Sequence, residues 1–268
     1  LSRYYDILPY DGSRVKLHRP NPSDGSDYVN ASFVTGLPST RTYIASQGPL
    51  PHTIGDFWQM VWEQNTEVIV MLTREDERGR PKCAPYWPPN RTSPVEFPAL
   101  GGLVVTLLDE SHMNAQETVL RKLSISLSRD CTTPPRIVWH VHFLAWPDHR
   151  GSNPQTVLGV VALARSLQAP SAGPMLVHCS AGCGRTGTFC TIDAVLSLLE
   201  RAREPLHDPH ADPVAATVAA LRKHRVYMVQ TLEQYAFCYE AVLCRILEWQ
   251  HSGVECPGWV VRRDSLES

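Results

Sequence analysis

The stretch His178-Cys179-Ser180-Ala181-Gly182-Cys183-Gly184-Arg185-Thr186-Gly187 is the most informative part of the sequence. It follows the short apolar run Met175-Leu176-Val177-His178, which predicts a strand. It precedes a run with apolar residues at helical spacing, which predicts a helix over 185–202. The glycines let the backbone turn sharply and approach a ligand closely. Successive backbone N–H groups in such a loop, together with a helix N-terminus, form a cradle for an oxyanion.

Two side chains in this loop carry chemistry. Arg185 has a planar guanidinium that can pair with two phosphate oxygens at once. Cys179 lies at the centre of the positive field, which favours its thiolate form. A thiolate beneath a bound phosphate is a nucleophile placed to attack phosphorus. Two other interpretations of the loop compete with a phosphate site. In the first, Cys179 is a buried core thiol and the glycines form a tight strand-to-helix turn. In the second, the loop binds a nucleotide, which is less well supported because the Lys-Ser/Thr ending of a P-loop is absent.

The rest of the chain favours an α+β fold around one central sheet. Strands are predicted over 67–72, 103–108, 119–127 and 137–146, and helices over 54–65, 155–168, 213–224 and 231–249. In the last of these strands His140 and His142 alternate with apolar residues, which predicts one covered face. Strands first and helices late are typical of α+β domains. The Pro-, His- and Asp-rich stretch 205–213 predicts a loop. It is short for a domain linker, so we expect one domain over 1–268.

Composition narrows the class of protein. The 268 residues are 43% hydrophobic and 19% charged, which suits a globular core. A net charge of −2 gives no global attraction to nucleic acid or to a membrane, and no apolar run approaches the ~20 residues of a membrane span. Eight cysteines without a Cys-x-x-Cys pair argue against a zinc module or a disulfide scaffold and favour a reducing compartment. The chain starts at Leu1 without an initiator Met or a signal-peptide pattern, so we expect an excised domain.

The loop at 178–187 resembles the signature of the protein tyrosine phosphatases, the tyrosine-specific branch of the Cys-x5-Arg phosphatases. Further motifs in the family's order cover nearly the whole chain: Arg3-Tyr4 and Asp27-Tyr28-Val29-Asn30-Ala31-Ser32, Gln47-Gly48-Pro49 with Phe57-Trp58, Lys82-Cys83-Ala84-Pro85-Tyr86-Trp87-Pro88, Trp146-Pro147-Asp148, and Gln230-Thr231-Leu232-Glu233-Gln234. Cys183 and Thr186 within the signature resemble the PEST-type non-receptor subgroup. The resemblance implies a central, highly twisted mixed β-sheet flanked by α-helices, and a thiolate mechanism that needs no metal or cofactor.

The resemblance also implies the catalytic roles. Cys179 matches the nucleophile that forms a phosphocysteine, and Arg185 matches the phosphate clamp. Asp148 matches the general acid that protonates the leaving tyrosyl oxygen and then acts as base on water. The amides that bind the other phosphate oxygens are those of Ser180, Ala181, Gly182, Cys183, Gly184 and Arg185. Four further residues assist: His178 tunes the thiolate, Thr186 helps the phosphoenzyme break down, Gln230 positions water, and Gln234 supports it.

Substrate recognition is assigned in the same way. Tyr4 matches the aromatic wall that stacks on the substrate ring, and Asp6 matches the carboxylate that holds the peptide's backbone N–H. Glu77 matches the partner of the catalytic arginine, and Lys82 is expected near the closed acid loop. Trp146 and Pro147 belong to that loop, which Gly151 and Ser152 would let swing as a lid. The structural alternative for Lys82 is a solvated loop charge.

Several positions depart from the family's pattern. His149 stands where a Phe is common, so we expect the loss of an aromatic cover over the substrate and a gain of pH sensitivity. Tyr5 stands where some relatives carry Arg, which puts a preference for acidic residues beside the phosphotyrosine in doubt. Arg222 and Arg225 lie where one relative holds a second phosphotyrosine. Tyr227 replaces the Gly that keeps the second phosphotyrosine pocket of that relative open, so we expect no second phosphotyrosine site.

Three other functions compete with an active phosphotyrosine-protein phosphatase. A dual-specificity phosphatase would not need the Tyr4 wall. A catalytically dead phosphotyrosine-binding module would not keep all catalytic residues. A metalloprotein would need a ligand spacing that the eleven histidines and eight cysteines lack. The expected partners are phosphotyrosine-containing proteins, tyrosine-phosphorylated kinases among them, with no nucleic acid. We expect a monomer located in the cytoplasm or on the cytoplasmic side of a membrane.

Redox control is a further expectation. A thiolate in an open pocket is readily oxidised to a sulfenic acid, so Cys179 should be inactivated reversibly. A disulfide from Cys179 to Cys83 or Cys183 could protect it, provided that the Cα atoms lie within roughly 7 Å. The alternatives are a sulfenamide with the Ser180 nitrogen, and purely structural roles for Cys83 and Cys183.

Overall fold

One mixed β-sheet of nine strands organises the part of the chain that the computed structural model describes, residues 1–19, 26–38, 41–113, 117–128, 132–146, 152–201 and 211–251. The strands are β1 (Arg14–Lys16), β2 (Tyr28–Thr35), β3 (Thr42–Ser46), β4 (Val68–Met71), β7 (Val95–Phe97), β8 (Leu103–Met113), β9 (Thr118–Leu127), β10 (Arg136–Phe143) and β11 (Met175–His178), while β5 (Asp76–Glu77) and β6 (Arg80–Pro81) form a separate hairpin. Their order in the sheet is β1-β2-β3-β11-β4-β10-β9-β8-β7.

The middle of the sheet is parallel and the two flanks are antiparallel. Strand β11 lies parallel between β3 and β4, and β4 lies parallel to β10, with Val177 opposite Val70. Every residue of β4 and β11 is buried. Such strands are continuous apolar runs because both of their faces are covered. The signature loop therefore starts from the carboxyl end of one of the most rigid strands.

Helices cover both faces of the sheet. They are α1 (Ile54–Glu63), α2 (Pro154–Leu167), α3 (Gly184–Arg201), α4 (Pro213–Arg222) and α5 (Leu232–His251), with short 3-10 turns at Pro51–Thr53 and Pro98–Leu100. Residues of α2, α3, α4 and α5 pack on one face around Ile192 and Phe237. Helix α1 covers the other face, where Phe57 and Trp58 are buried with Tyr86. No helix in the described ranges is long and apolar enough to cross a membrane.

The predicted α+β class, the mixed central sheet and its flanking helices are confirmed, and each predicted helix lies within about two residues of an observed one. Strand β8 is longer than predicted, and β1, β2, β3 and β7 were not predicted. The predicted strand over 137–146 is wrong at its end, because β10 stops at Phe143. Residues 205–210 of the predicted loop lie outside the described residues.

The prediction of one covered face for β10 is wrong. This strand lies inside the sheet, between β4 and β9. His140 and His142 are 0% and 3% exposed, because their face packs against the rings of Tyr86 and Trp87. The alternation of polar and apolar residues in β10 therefore marks a buried polar layer, not a face exposed to solvent.

Candidate active site

The loop between β11 and α3 has its carbonyl groups tied to the surrounding protein. The Cys179 carbonyl accepts from His178 Nδ1 at 3.1 Å, and the Ser180 carbonyl accepts from the Gly48 N–H at 3.0 Å. The Ala181 and Gly182 carbonyls accept from Arg225 Nη2 and Nε, each at 2.9 Å.

This pattern fixes the direction of the loop's N–H groups. Across a planar trans peptide, the carbonyl of one residue and the N–H of the next point in opposite directions. The N–H groups of residues 180–183 therefore point away from His178, Gly48 and Arg225, toward the other side of the loop. Consecutive N–H groups turned to one side form an anion-binding concavity, and here the N-terminus of α3 adjoins it.

Gly182 is required for this shape. Its φ is +71°, in the left-handed region that glycine adopts at no steric cost. A Cβ on this residue would also collide with the backbone of Ser46 and Gln47. The loop can therefore lie against the end of β3 only with glycine at this position.

Arg185 is buried beside a carboxylate. Its Nη1 and Nη2 donate to the two oxygens of Glu77 at 2.7 Å each, and Nη1 also donates to the Leu72 carbonyl at 2.9 Å. Thr73 Oγ1 donates to Glu77 Oε1 at 2.9 Å, and Lys82 Nζ lies 4.0 Å from Glu77 Oε2. The guanidinium, which is only 2% exposed, is thus held in one orientation next to the loop.

His178 is a neutral residue of the interior. Burial lowers its pKa to about 4, against an opposing hydrogen bond with the Cys179 backbone. Its Nε2 lies 2.7 Å from the Tyr86 hydroxyl. The contact that His178 makes with Cys179 is to the carbonyl oxygen, so its influence on the thiol passes through the orientation of the backbone.

Tyr4 joins the N-terminal segment to the loop. Ser180 Oγ donates its proton to the Lys82 carbonyl at 3.0 Å, so the Tyr4 hydroxyl donates to Ser180 Oγ at 2.9 Å. The ring of Tyr4 therefore stands beside the signature loop, while Asp6 and Tyr5 are exposed further along the segment. The N-terminal segment, the segment at Lys82 and the signature loop therefore meet at Ser180.

The glutamine motif closes on the start of α3. Gln234 is 1% exposed, and its Oε1 accepts from the N–H groups of Gln230 at 3.0 Å and Thr231 at 3.3 Å. A Cβ on Gly184 would lie 2.8 Å from Gln234 Oε1 and 3.3 Å from Gln230 Cβ. Gln234 thus fixes the backbone of this segment, whereas Gln230 is exposed beside the loop.

The acid-loop motif is described only at its start. Trp146 is 3% exposed and contacts the rings of Phe143 and Phe237. Pro147, Asp148 and His149 lie outside the described residues. Thr186 Oγ1 is buried and has no hydrogen-bond partner within the described part of the chain. A buried hydroxyl without a partner requires an explanation, and an anion in the loop would supply one.

Arg225 has a role that the sequence did not reveal. Besides the two loop carbonyls, it donates to Ser32 Oγ at 3.2 Å and Asn30 Oδ1 at 2.7 Å, and it is fully buried. It holds the loop from behind and is not available to a second phosphotyrosine. Arg222 is bonded to the Met228 and Val229 carbonyls, and Tyr227 is 52% exposed.

A model of the protein-tyrosine phosphatase family matches residues 1–244. The chain belongs to this family. Among its relatives, human receptor-type tyrosine-protein phosphatase F is 42% identical over 243 residues, which are 90% of this chain and 12% of that protein. Human tyrosine-protein phosphatase non-receptor type 18 is 41% identical over 243 residues, which are 90% of this chain and 50% of that protein. The phosphatase domain thus spans half or less of the length of these relatives.

Solved structures agree with the family assignment. The catalytic domain of human protein tyrosine phosphatase non-receptor type 18 superposes with a TM-score of 0.78 at 40% identity, covering 91% of this chain and 83% of that chain. The same phosphatase in complex with HER2 phosphopeptides gives a TM-score of 0.80 at 38% identity, covering 92% and 81%. The predicted phosphatase fold and the resemblance to the non-receptor, PEST-type subgroup are confirmed.

Proposed function

We propose that this phosphatase domain hydrolyses phosphotyrosine in proteins through a phosphocysteine on Cys179. One observation carries the proposal: four consecutive carbonyls, from Cys179 to Gly182, are bonded outward, so the N–H groups that follow them face one common side. Arg185 adds a fixed positive charge beside that side. Such oriented donors stabilise the charge of a phosphoryl group in the transition state.

The reaction has two steps. In the first, the Cys179 thiolate attacks phosphorus, the phosphorus–oxygen bond to tyrosine breaks, and Asp148 gives its proton to the tyrosyl oxygen. In the second, Asp148 takes a proton from a water that Gln230 positions, this water attacks phosphorus, and the sulfur–phosphorus bond breaks. Inorganic phosphate leaves and the thiolate returns. The Thr186 hydroxyl, which has no hydrogen-bond partner in the described part of the chain, directly follows the loop in sequence and would stabilise the departing thiolate.

Selectivity for phosphotyrosine rests on Tyr4. Its ring is tied to the loop through Ser180, so it forms a wall for a planar aromatic substrate. Asp6 on the same segment would hold the peptide backbone, and Lys82 supports Glu77 from the neighbouring loop. A phosphoserine side chain is too short to contact such a wall, which favours a phosphotyrosine-specific phosphatase over a dual-specificity phosphatase. The complex of the non-receptor type 18 phosphatase with HER2 phosphopeptides is consistent with this substrate class.

The cellular setting is part of the same proposal. The six cysteines of the described ranges are free thiols, which a reducing compartment maintains. We place the domain, spanning 1–268, in the cytoplasm or on the cytoplasmic side of a membrane, where as a monomer it would act in signal transduction. Tyrosine-phosphorylated kinases are among its proposed substrates.

The test compares three measurements on the wild type and Cys179→Ser. We expect the wild type to release phosphate from phosphotyrosine peptides much faster than from matched phosphothreonine peptides, and to show a burst with an aryl phosphate. Cys179→Ser should lose turnover but still bind phosphotyrosine peptide, because a hydroxyl stays protonated where a thiol does not. Residual turnover above a few per cent of wild type would remove Cys179 from this role, and equal rates on both peptides would favour dual specificity.

A further inference from the structure

A chain of buried polar side chains runs from strand β9 to the signature loop. It comprises Arg121 on β9, His140 and His142 on β10, Tyr86 in the segment that follows Lys82, His178 at the end of β11, and Thr73 after β4. We call these six residues the Arg121 network. Five of its members, Thr73, Tyr86, His140, His142 and His178, are 3% exposed or less. Of these side chains, that of His178 reaches the loop, through the Cys179 carbonyl.

The first branch of the network ends at Cys179. The Cys179 carbonyl can only accept, so His178 carries its proton on Nδ1 and its Nε2 accepts from the Tyr86 hydroxyl at 2.7 Å. The Tyr86 oxygen then accepts from His140 Nε2 at 2.9 Å. His140 Nδ1 is left as an acceptor, and Arg121 Nη1 donates to it at 3.4 Å.

The second branch ends at Arg185. His142 Nε2 lies 2.9 Å from the Thr73 carbonyl, so it carries the proton and leaves Nδ1 to accept from the same Arg121 Nη1 at 3.3 Å. Thr73 in turn donates through its hydroxyl to Glu77, which holds the guanidinium of Arg185. One guanidinium nitrogen therefore donates to two histidines, and these lead to the two reacting groups of the loop.

The charges around the network keep it in this state. Burial is the main reason why the pKa of His142 falls to about 3 and that of His140 falls well below its usual value, with the positive charge of Arg121 acting in the same direction. Arg121 itself is held by Glu110 through Nε at 2.6 Å and lies over the Trp87 ring at 4.4 Å. Arg74 lowers the pKa of His142 in the same way, and Arg3 lowers that of His178. Both rings thus remain neutral and can only accept from Arg121.

We propose that Arg121 is a positioning residue for catalysis, acting through His140 and Tyr86 on Cys179 and through His142 and Thr73 on Arg185. The proposal rests on the phosphatase function given above. Stability alone does not account for the arrangement, since well-packed apolar residues of similar volume usually replace buried charged groups without loss. Without the guanidinium, Nδ1 of His140 and Nδ1 of His142 lose their donor, and the hydrogen-bonded chains that lead to Cys179 and to Thr73 are no longer anchored at β9.

The experiment uses Arg121→Met, with Arg136→Met as a matched control. Arg136 on β10 also lies over an indole, that of Trp62 at 3.7 Å, and donates to Asn65 and to the Trp62 carbonyl, but it does not lead to the site. Four quantities are measured: Tm, kcat with KM on a phosphotyrosine peptide, inhibition by inorganic phosphate, and the pH dependence of Cys179 alkylation by iodoacetate. The alkylation needs no turnover, and its slowing by inorganic phosphate reports phosphate binding even in a protein that hydrolyses nothing.

For Arg121→Met we expect kcat to fall about tenfold, the size set by one or two buried hydrogen bonds, with a smaller change in KM. The midpoint of alkylation should move to higher pH, and inhibition by phosphate should weaken. Tyr86→Phe should move the alkylation midpoint and leave phosphate inhibition near wild type. His142→Gln should weaken phosphate inhibition and leave the alkylation midpoint near wild type. Arg121→Lys, which keeps a donor, should recover part of the loss. Arg136→Met should lower Tm only.

Two outcomes would overturn the proposal. One is an Arg121→Met variant that loses Tm as Arg136→Met does while kcat, phosphate inhibition and alkylation stay at wild type. The other applies if Arg121→Met does not fold. Arg121→Lys replaces the guanidinium by an ammonium, and Glu110→Gln removes the carboxylate that holds it; the proposal fails if both variants leave all four quantities unchanged. A wild type that binds phosphate and alkylates normally but turns over no phosphotyrosine would instead refute the proposed function.

Discussion

Arg185 and Glu77 face each other through two parallel hydrogen bonds, Nη1 to Oε1 and Nη2 to Oε2, each 2.7 Å long. The pair joins the start of α3 to the β5–β6 hairpin, two elements that are far apart in the sequence. Because the guanidinium is buried, it is costly without this carboxylate. The hairpin is thus tied to the geometry of the phosphate cradle.

Glu77→Ala should therefore weaken phosphate binding and slow turnover. The loss of a charged hydrogen-bonding partner corresponds to about 2 kcal/mol, or a 10- to 100-fold fall in kcat/KM. Inhibition by inorganic phosphate and steady-state kinetics on a phosphotyrosine peptide measure both effects. Glu75→Ala is the control, because Glu75 is exposed and contributes its carbonyl oxygen to Lys82 and Cys83. Equal kinetics for the two variants would contradict the assignment of Glu77.

Tyr4 should affect binding more than chemistry. Tyr4→Ala removes the aromatic wall and should raise KM for phosphotyrosine peptides about tenfold, since ring stacking and buried area are lost. Tyr4→Phe keeps the ring and loses only the hydrogen bond to Ser180, so its KM should lie close to that of wild type. Kinetics on peptides and on a small aryl phosphate separate the two contributions. If Tyr4→Ala behaves as wild type, segment 3–6 is not the recognition wall.

Asp148→Ala tests the general acid. The proposed mechanism requires Cys179 ionised and Asp148 protonated, so kcat/KM should be bell-shaped on the acid side of neutrality. The variant should lose on the order of 10²- to 10⁴-fold in rate and show a flattened basic limb with ordinary phenols. An unchanged pH profile would assign the proton to another group. The same variant, used as a substrate trap in cell lysate, would identify the retained phosphoproteins.

Much of the fold could be predicted from local patterns, and the failures have a common physical cause. Long helices such as α3 carry a clear 3.6-residue period, and β4 and β11 are apolar runs. Strands β1 and β3 have only three and five residues, and β1, β2 and β3 are held by pairing with one another, with β3 alone pairing with β11. The polar layer of β10 was misjudged because its covering residue, Tyr86, is distant in sequence.

In the site, too, residues within one local motif could be predicted, whereas residues brought in from distant elements could not. The nucleophile and the clamp lie in one contiguous loop, so their spacing carries the signal. Arg225 and Arg121 act from distant elements and could not be assigned by spacing. A signal for Arg121 does exist: it shares the alternation of Val119, Leu123 and Ile125, all buried, so a charge at this position marks an inward-facing polar group.

The buried histidines should make the protein sensitive to acid. In the folded state the pKa values of His142 and His178 are about 3 and about 4, below the value of about 6.5 in an unfolded chain. The unfolded state therefore binds protons first as the pH falls. Stability should be complete above about pH 6.5 and should fall by about 1.4 kcal/mol per pH unit for each histidine below it.

Denaturant unfolding at pH 7.5, 6.5 and 5.5 measures this slope. His142→Gln should be less stable at pH 7.5 but should lose less stability than wild type on acidification. His18→Gln is the control, because that side chain is 85% exposed. Parallel pH curves for wild type and His142→Gln would show that His142 does not take up a proton on unfolding.

The product of reversible oxidation depends on which group attacks the oxidised Cys179: the thiol of Cys83 or Cys183, or the backbone nitrogen of Ser180. Cys83 and the Cys179 carbonyl both lie within 3.0 Å of the position that a Cβ on Gly48 would occupy, so the two cysteines are neighbours. Burial, however, raises the pKa of Cys83 above its usual range and that of Cys183 to about 11. Because a thiolate is the species that attacks, both thiols are poor resolving groups. The Ser180 nitrogen needs no second thiol.

We therefore expect mild peroxide to inactivate the domain through a sulfenic acid at Cys179, and a sulfenamide with the Ser180 nitrogen to protect it. Cys83→Ser, Cys183→Ser and their double variant should recover activity on thiol treatment as fully as wild type. Peptide mapping should find Cys179 linked to Ser180, with the loss of one water relative to the sulfenic acid. A Cys179–Cys83 or Cys179–Cys183 disulfide in the map, together with irreversible loss in the matching variant, would show instead that a neighbouring thiol attacks despite its burial.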